Sequence, residues 1–235
     1  MTTSIINRLK VVALSAVLPL TALSSAHAAV SLDFTMPSLP AAGYEAIQNY
    51  YNGGANQLGD VGPNYGITFG SDALALGQYP LAPSSNTGNE PGGGNALFFL
   101  GGSDVMNVAA GFTGGFSFYY DCPANLSGSI NVYSGVNDTG ILLATLALPG
   151  TSINGTEPFF GNWTPIGVSF AGTAESVDFG GTANEITFAD VTLGSVNPQI
   201  GNGAPDSTGW SLYLMAALGL AGAARVSRKQ AVATL

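Results

Sequence analysis

Between residues 29 and 198, apolar side chains recur at every second position in short runs, and clusters of Gly, Asn and Asp break the runs apart. A period of two places alternate side chains on one face of an extended chain, so Phe116, Phe118 and Tyr120 share a face and predict core. Ile130 and Val132 continue the pattern, followed by Ile141, Leu143, Thr145 and Ala147. Eleven strands are expected: Ser31–Thr35, Tyr65–Phe69, Asp72–Leu76, Asn95–Leu100, Val105–Ala109, Phe112–Asp121, Ser129–Ser134, Ile141–Leu148, Ile166–Phe170, Ser176–Phe179 and Glu185–Leu193. Turn residues punctuate or bound them at Gly114-Gly115, Asn137-Asp138-Thr139-Gly140 and Gly180-Gly181. Many short strands spaced by such turns predict an all-β, antiparallel β-sandwich of jelly-roll type. A short helix is expected only around Glu45–Tyr51.

Charge placement narrows the function. Of the 235 residues, all five Lys and Arg lie near the ends, at Arg8, Lys10, Arg225, Arg228 and Lys229, and the single His is His27. All 14 Asp and Glu fall between Asp33 and Asp206, so the stretch from Ala29 to Ala224 has a formal charge of −14 against −9 for the whole chain. A body without cations excludes nucleic acid as a partner and is repelled by anionic lipid. Divalent cations and neutral partners such as sugars suit it.

The two ends carry targeting patterns. Arg8 and Lys10 precede an apolar run from Val11 to Leu23, and Ala26-His27-Ala28 supplies small residues at a cleavage position. Residues 1–28 are therefore expected to be a secretory signal peptide. The body follows as residues 29–198, and a Pro-, Gly- and Asn-rich linker occupies 199–209. Residues 210–235 form an apolar segment from Trp210 to Ala224 and a basic tail, which predicts a hydrophobic helix inserted transiently in the inner membrane with its basic end in the cytoplasm.

This order of a short Pro-acidic motif, an apolar helix and a terminal basic cluster resembles the PEP-CTERM sorting signal. The motif is Ala204-Pro205-Asp206-Ser207-Thr208, similar to a Val-Pro-Asp-Ser-Gly variant of that family, with Pro205 and Asp206 as the matching pair. The leading Val is replaced by Ala, and Thr208 intervenes before Gly209. The resemblance implies an exosortase-type membrane protease as processing partner and a Gram-negative, exopolysaccharide-making host. It also implies delivery to the cell surface or extracellular matrix. Segments Val132–Leu148 and Val177–Leu193 resemble strand pairs of secreted bacterial jelly-roll domains.

Catalysis has few residues to draw on. A Ser or Cys nucleophile needs a His or Lys base, which the body lacks, and Cys122 alone cannot build a zinc site. Gly92-Gly93-Gly94 has no Walker-type lysine after it and is a flexible loop rather than a phosphate cradle. The chain is thus expected to be non-enzymatic. The alternative is a carbohydrate-active enzyme, because glycoside hydrolysis needs only two carboxylates. Calcium is the candidate cofactor, since it takes carboxylate, amide and carbonyl oxygens. Asp33, near the first strand, and Asp190, near the last, meet if those strands pair, and Asp138 is a weaker candidate. For a glycan ligand such as exopolysaccharide, Trp163, Tyr50 and Tyr51 are the candidate stacking faces, with neighbouring amides at Asn52 and Asn162. Cys122, after the core strand and before Pro123, is expected to be buried.

Overall fold

The computed structural model describes residues 29–39, 43–101, 104–122, 126–151, 160–180 and 182–201. The expected signal peptide, the sorting motif at Pro205 and Asp206 and the expected C-terminal helix lie outside these residues. Twelve strands are found among the described residues: β1 Val30–Leu32, β2 Tyr44–Ala46, β3 Ile67–Phe69, β4 Ala73–Leu76, β5 Ala96–Phe99, β6 Val105–Phe112, β7 Phe116–Asp121, β8 Ser127–Gly135, β9 Thr139–Pro149, β10 Thr164–Val168, β11 Ala174–Asp178 and β12 Thr187–Leu193.

They build the expected antiparallel sandwich of jelly-roll type. A seven-stranded sheet runs β10-β7-β12-β5-β4-β2, with β1 also paired to β12, and a five-stranded sheet runs β3-β6-β11-β8-β9. The chain crosses between sheets at Gly114-Gly115, so the expected single strand over 112–121 is divided. Gly114 has φ +90°, and a Cβ on Gly115 would lie 2.8 Å from Val196 Cγ1; only glycine fits this corner. At the β8–β9 turn, Asn137 and Asp138 both have positive φ (54° and 58°), a conformation these two residues tolerate well. The helix expected at Glu45–Tyr51 does not form. Residues 44–46 pair with β4 through Tyr44↔Leu76 and Ala46↔Leu74, and turns follow over 48–51. Sheet pairing overrides the local pattern there.

The core lies between the sheets. Phe116, Phe118 and Tyr120 are buried on one face of β7, as alternation predicts. Phe188 packs edge-on against Phe118 (5.3 Å between ring centroids) and Phe179 (5.1 Å), and Phe179 meets Phe99 at 5.0 Å. From the opposing sheet, Ile67, Met106, Ile130, Val132 and Val177 are buried against this cluster. Cys122 is buried as expected.

Strand β12 holds the large sheet together. One edge pairs with β7 along its length, while the other pairs first with β5 (Phe188↔Leu97) and then with β1 (Val191↔Leu32 to Leu193↔Val30). The change of partner falls at Asp190, where the β12–β7 register also slips and φ is +47°. Truncation of Phe188 to Ala should cost about 3–5 kcal/mol in urea-unfolding free energy. On β9 the face expected to continue the core pattern turns outward: Ile141, Thr145 and Ala147 are exposed, and Leu146 and Leu148 are buried instead. Ile141→Thr, at a site 71% exposed, should change the unfolding free energy by no more than about 0.5 kcal/mol.

Candidate functional site

Alternation places Phe98, Leu76, Tyr44 and Thr187 on the outer face of the large sheet, because their neighbours Leu97, Phe99, Ala75 and Phe188 face the core. Two connecting segments cover part of that face. Phe160 exchanges backbone hydrogen bonds with this layer: its N–H donates to Asn86 O (2.8 Å) and its carbonyl accepts from Gly88 N–H (2.8 Å). The Trp163 indole N–H donates to Gly88 O at 2.9 Å. From below, Asp121 on β7 accepts the Thr151 hydroxyl (2.7 Å) and the Asn162 N–H (2.5 Å).

A cavity of about 250 Å³ remains between these segments and the sheet. Phe98, Leu76 and Phe160 give it apolar walls, and Tyr44, 60% exposed, stands among its lining residues. Ser84, Ser85, Asn86 and Asn184 bring hydroxyls and amides, and Thr187 contributes a buried Oγ1 without a hydrogen-bond partner. Asn184 Nδ2 donates to Leu100 O (3.1 Å), which fixes the orientation of its amide. No Asp or Glu is among the lining residues. Apolar walls with a few placed polar groups are the make-up of small-molecule pockets, whose usual volume of about 300–1,000 Å³ this cavity falls just short of.

The expected stacking residues are placed differently. Tyr51 is 0% exposed, stacked on Tyr65, and its hydroxyl accepts the Phe34 N–H at 3.0 Å. Tyr50 is also buried, edge-on to Tyr51 at 5.1 Å, with its hydroxyl donating to Thr35 O. Both rings belong to the core, so neither offers a face to a sugar. The turn after β2 folds inward, and its aromatic pair fills the end of the sandwich. Trp163 is half-buried and pins the cavity wall at Gly88 without lining the cavity. Alternation in β5 already placed Phe98 opposite Leu97 and Phe99, but nothing local shows that the segments around Asn86 and Phe160 arch over it.

The carboxylates form a second theme. β1 pairs with β12 as far as Leu32↔Val191, so Asp33 follows the paired stretch and lies near enough to Asp190 to repel it. The nearer partner of Asp190 is Glu90, which sequence did not single out: the two carboxyl groups lie within hydrogen-bonding reach. Burial, then Asp190, pushes Glu90 up to about 7. Among the described residues no three His, Cys, Asp or Glu side chains converge as a metal-binding group. Elsewhere, Asp104 Oδ2 and Asp138 Oδ1 are buried without a hydrogen-bond partner. Burial holds both carboxyls up at about 6, with Asp178 adding repulsion at Asp138.

For Asp104 and Asp138 a folded value above the unfolded value of about 4 means that the native state holds more protons there. Their contribution is stabilising at low pH and is lost as pH rises from about 4 through about 6. In chelator, the melting temperature should therefore rise as pH is lowered from about 7.5 to about 5. Asp104→Asn should flatten that slope in a thermal-unfolding series. A slope of opposite sign, or one unchanged in the variant, would contradict the assignment.

No family model matches the chain, and no curated protein matches it. Among solved structures it is similar to a family 6 carbohydrate-binding module studied by crystallography and calorimetry (17% identity, 56% of this chain and 86% of that one, TM-score 0.35). It is also similar to CsCBM6-3 from Clostridium stercorarium in complex with cellobiose (18% identity, 47% and 79% covered, TM-score 0.32). A third is a glycoside hydrolase family 43 arabinoxylan arabinofuranohydrolase from Bacillus subtilis in complex with cellotetraose (19% identity, 62% and 32% covered, TM-score 0.36). At these scores the likeness carries no argument about ligand or activity, which rest on this chain's own residues.

Proposed function

We propose that the chain is an exported, non-enzymatic protein of the cell surface or extracellular matrix that holds a neutral glycan in the outer-face cavity. The observation that carries this reading is the composition of the cavity: aromatic and apolar walls beside hydroxyls and amides, with no carboxylate. A pyranose ring presents C–H faces to aromatic rings and hydroxyls to amides, which is the chemistry these walls match. The charge of the body favours neutral sugars, since an acidic polysaccharide would meet fixed negative charge and no cation between Ala29 and Ala224.

The same cavity disfavours the hydrolase alternative. Glycoside hydrolysis places two carboxyl groups on either side of the scissile bond, and the lining residues supply none. Export by residues 1–28 and sorting through Pro205 and Asp206 by an exosortase-type protease complete the proposal, on the strength of the terminal sequence patterns alone. Transient anchoring by residues 210–235 precedes release to the surface of a Gram-negative host.

Retention of the full-length chain on neutral exopolysaccharide from its host tests the binding arm. Tyr44→Ala and Asn184→Ala should each weaken retention by about tenfold, the loss of roughly 1–1.5 kcal/mol expected for a stacking or hydrogen-bonding group. Tyr44→Ala should melt with the parent, whereas Asn184→Ala also loses the bond to Leu100 O at a positive-φ position and should melt lower, so its retention is compared at a temperature where both are folded. No retention by the parent, or equal retention by all three, overturns the reading. Mass spectrometry of the product from host cells tests sorting: a mature chain lacking Trp210–Leu235 is expected, and its persistence would leave a plain membrane anchor.

A further inference from the structure

Three chain segments meet where β12 changes partner. The end of β1 and the start of β5 are tied there by the Asn95 N–H to Asp33 O (2.8 Å) and by Asn95 Nδ2 to Phe34 O (3.3 Å). Into this junction Asp190 projects from the irregular step of β12, and Glu90 projects from the loop that leads into β5. Glu90 Oε2 accepts the Gly94 N–H at 2.6 Å, and Asp190 Oδ1 accepts the Gly201 N–H at 3.1 Å. Those contacts use one oxygen of each carboxylate. The others, Glu90 Oε1 and Asp190 Oδ2, are buried and have no donor, although the two groups are in reach of each other.

Two carboxylates this deeply buried, Asp190 at 0% and Glu90 at 6% exposure, are not stable side by side as bare anions. No Lys, Arg or His exists between residues 29 and 224 to neutralise them. Asp33, just beyond the end of β1, adds further negative charge. The loop is shaped around the carboxylates: a Cβ on Gly92 would lie 2.9 Å from Asp190 Oδ2 and 3.0 Å from Oδ1.

We infer that Glu90 and Asp190 form a clamp for a divalent cation of the calcium class, which joins the Gly92–Gly94 loop to β12 and the junction with β1. The donors are all oxygen, which selects a hard cation. Calcium accepts irregular geometry and takes about six to eight oxygens, so main-chain carbonyls and water would complete the shell that the two carboxylates begin, whereas magnesium demands a near-ideal octahedron. The sequence alone suggested Asp33 and Asp190; the structure makes Glu90 the direct partner of Asp190 and leaves Asp33 as a nearby charge, with its Oδ1 accepting the Thr35 N–H (2.8 Å). The inference is independent of the glycan reading.

The test is calcium titration of the chelator-stripped full-length chain at constant ionic strength, followed by calorimetry and thermal unfolding. Saturable binding and a rise in melting temperature are expected, at dissociation constants up to about 10⁻³ M as in extracellular modules, with magnesium much weaker. Glu90→Gln and Asp190→Asn should reduce calcium affinity by about tenfold or more and abolish the thermal shift. In chelator both should melt at or above the parent, because an amide can donate to the remaining carboxylate; this separates ligand loss from misfolding. Asp178→Asn, which removes a distant carboxylate, should keep the full shift. A parent without a calcium response means that the pair shares a proton, and a response that survives Glu90→Gln means diffuse binding to surface charge; either overturns the inference. Glycan retention measured in parallel separates this outcome from failure of the cavity.

Discussion

A carboxylate removed from water needs a compensating partner, and in most proteins a Lys or Arg side chain supplies it. Between residues 29 and 224 no such side chain exists, so the acids of this sandwich must be satisfied by neutral donors, by protons or by cations from solution. The half-buried acids show the first solution. Asp60 accepts from the Ser38 N–H and hydroxyl and from Asn56 Nδ2, and these donors hold its carboxyl below the usual range. Asp178 accepts the Gly180 N–H. Asp60 ties two loop segments to each other and Asp178 holds the turn after β11, so acids do the positional work that ion pairs do elsewhere.

The buried acids show where neutral donors run short. Asp121 is the satisfied case, with the Thr151 hydroxyl and the Asn162 N–H on its two oxygens. These bonds tether connections that cover the outer face, and the Trp163 indole and the Phe160 backbone continue the same layer to Asn86 and Gly88. The cavity is thus a consequence of how the covering segments are tethered. Glu90, Asp104 and Asp190, each with one buried oxygen without a donor, and Glu45, with two, are the other case. Glu90 and Asp190 differ from Asp104 and Glu45 in meeting each other at a junction of three segments, which is why the proposed cation site is placed there.

Alternation and turn residues made most of the sandwich legible. Phe116, Phe118 and Tyr120 face the core because period-two patterning fixes which side of β7 is buried, and Asn137-Asp138 turn because their backbones tolerate positive φ. Local pattern failed around Glu45–Tyr51, where Tyr44–Ala46 pair with β4 and the following turns carry Tyr50 and Tyr51 inward. Strand pairing and burial there depend on residues some thirty positions away, which no local pattern reports. The same distance hid the cavity, whose walls come from β2, β4, β5, β12 and the connections that carry Gly43, Ser84 to Asn86, Phe160 and Asn184.

The sequence by itself determined the layered all-β architecture and the confinement of every Lys, Arg and His to the two ends of the chain, because composition and periodicity are local properties of the chain. It also named Asp33 and Asp190, because first and last strands commonly neighbour each other in a closed sandwich. Only the tertiary structure decided that Glu90 is the acid that meets Asp190, that Tyr50 and Tyr51 are core, and that Tyr44, Phe98 and Asn184 share a cavity. Those relations depend on which strand β12 pairs with at each step and on how the covering segments are tethered, and both are set by contacts between residues far apart in the chain.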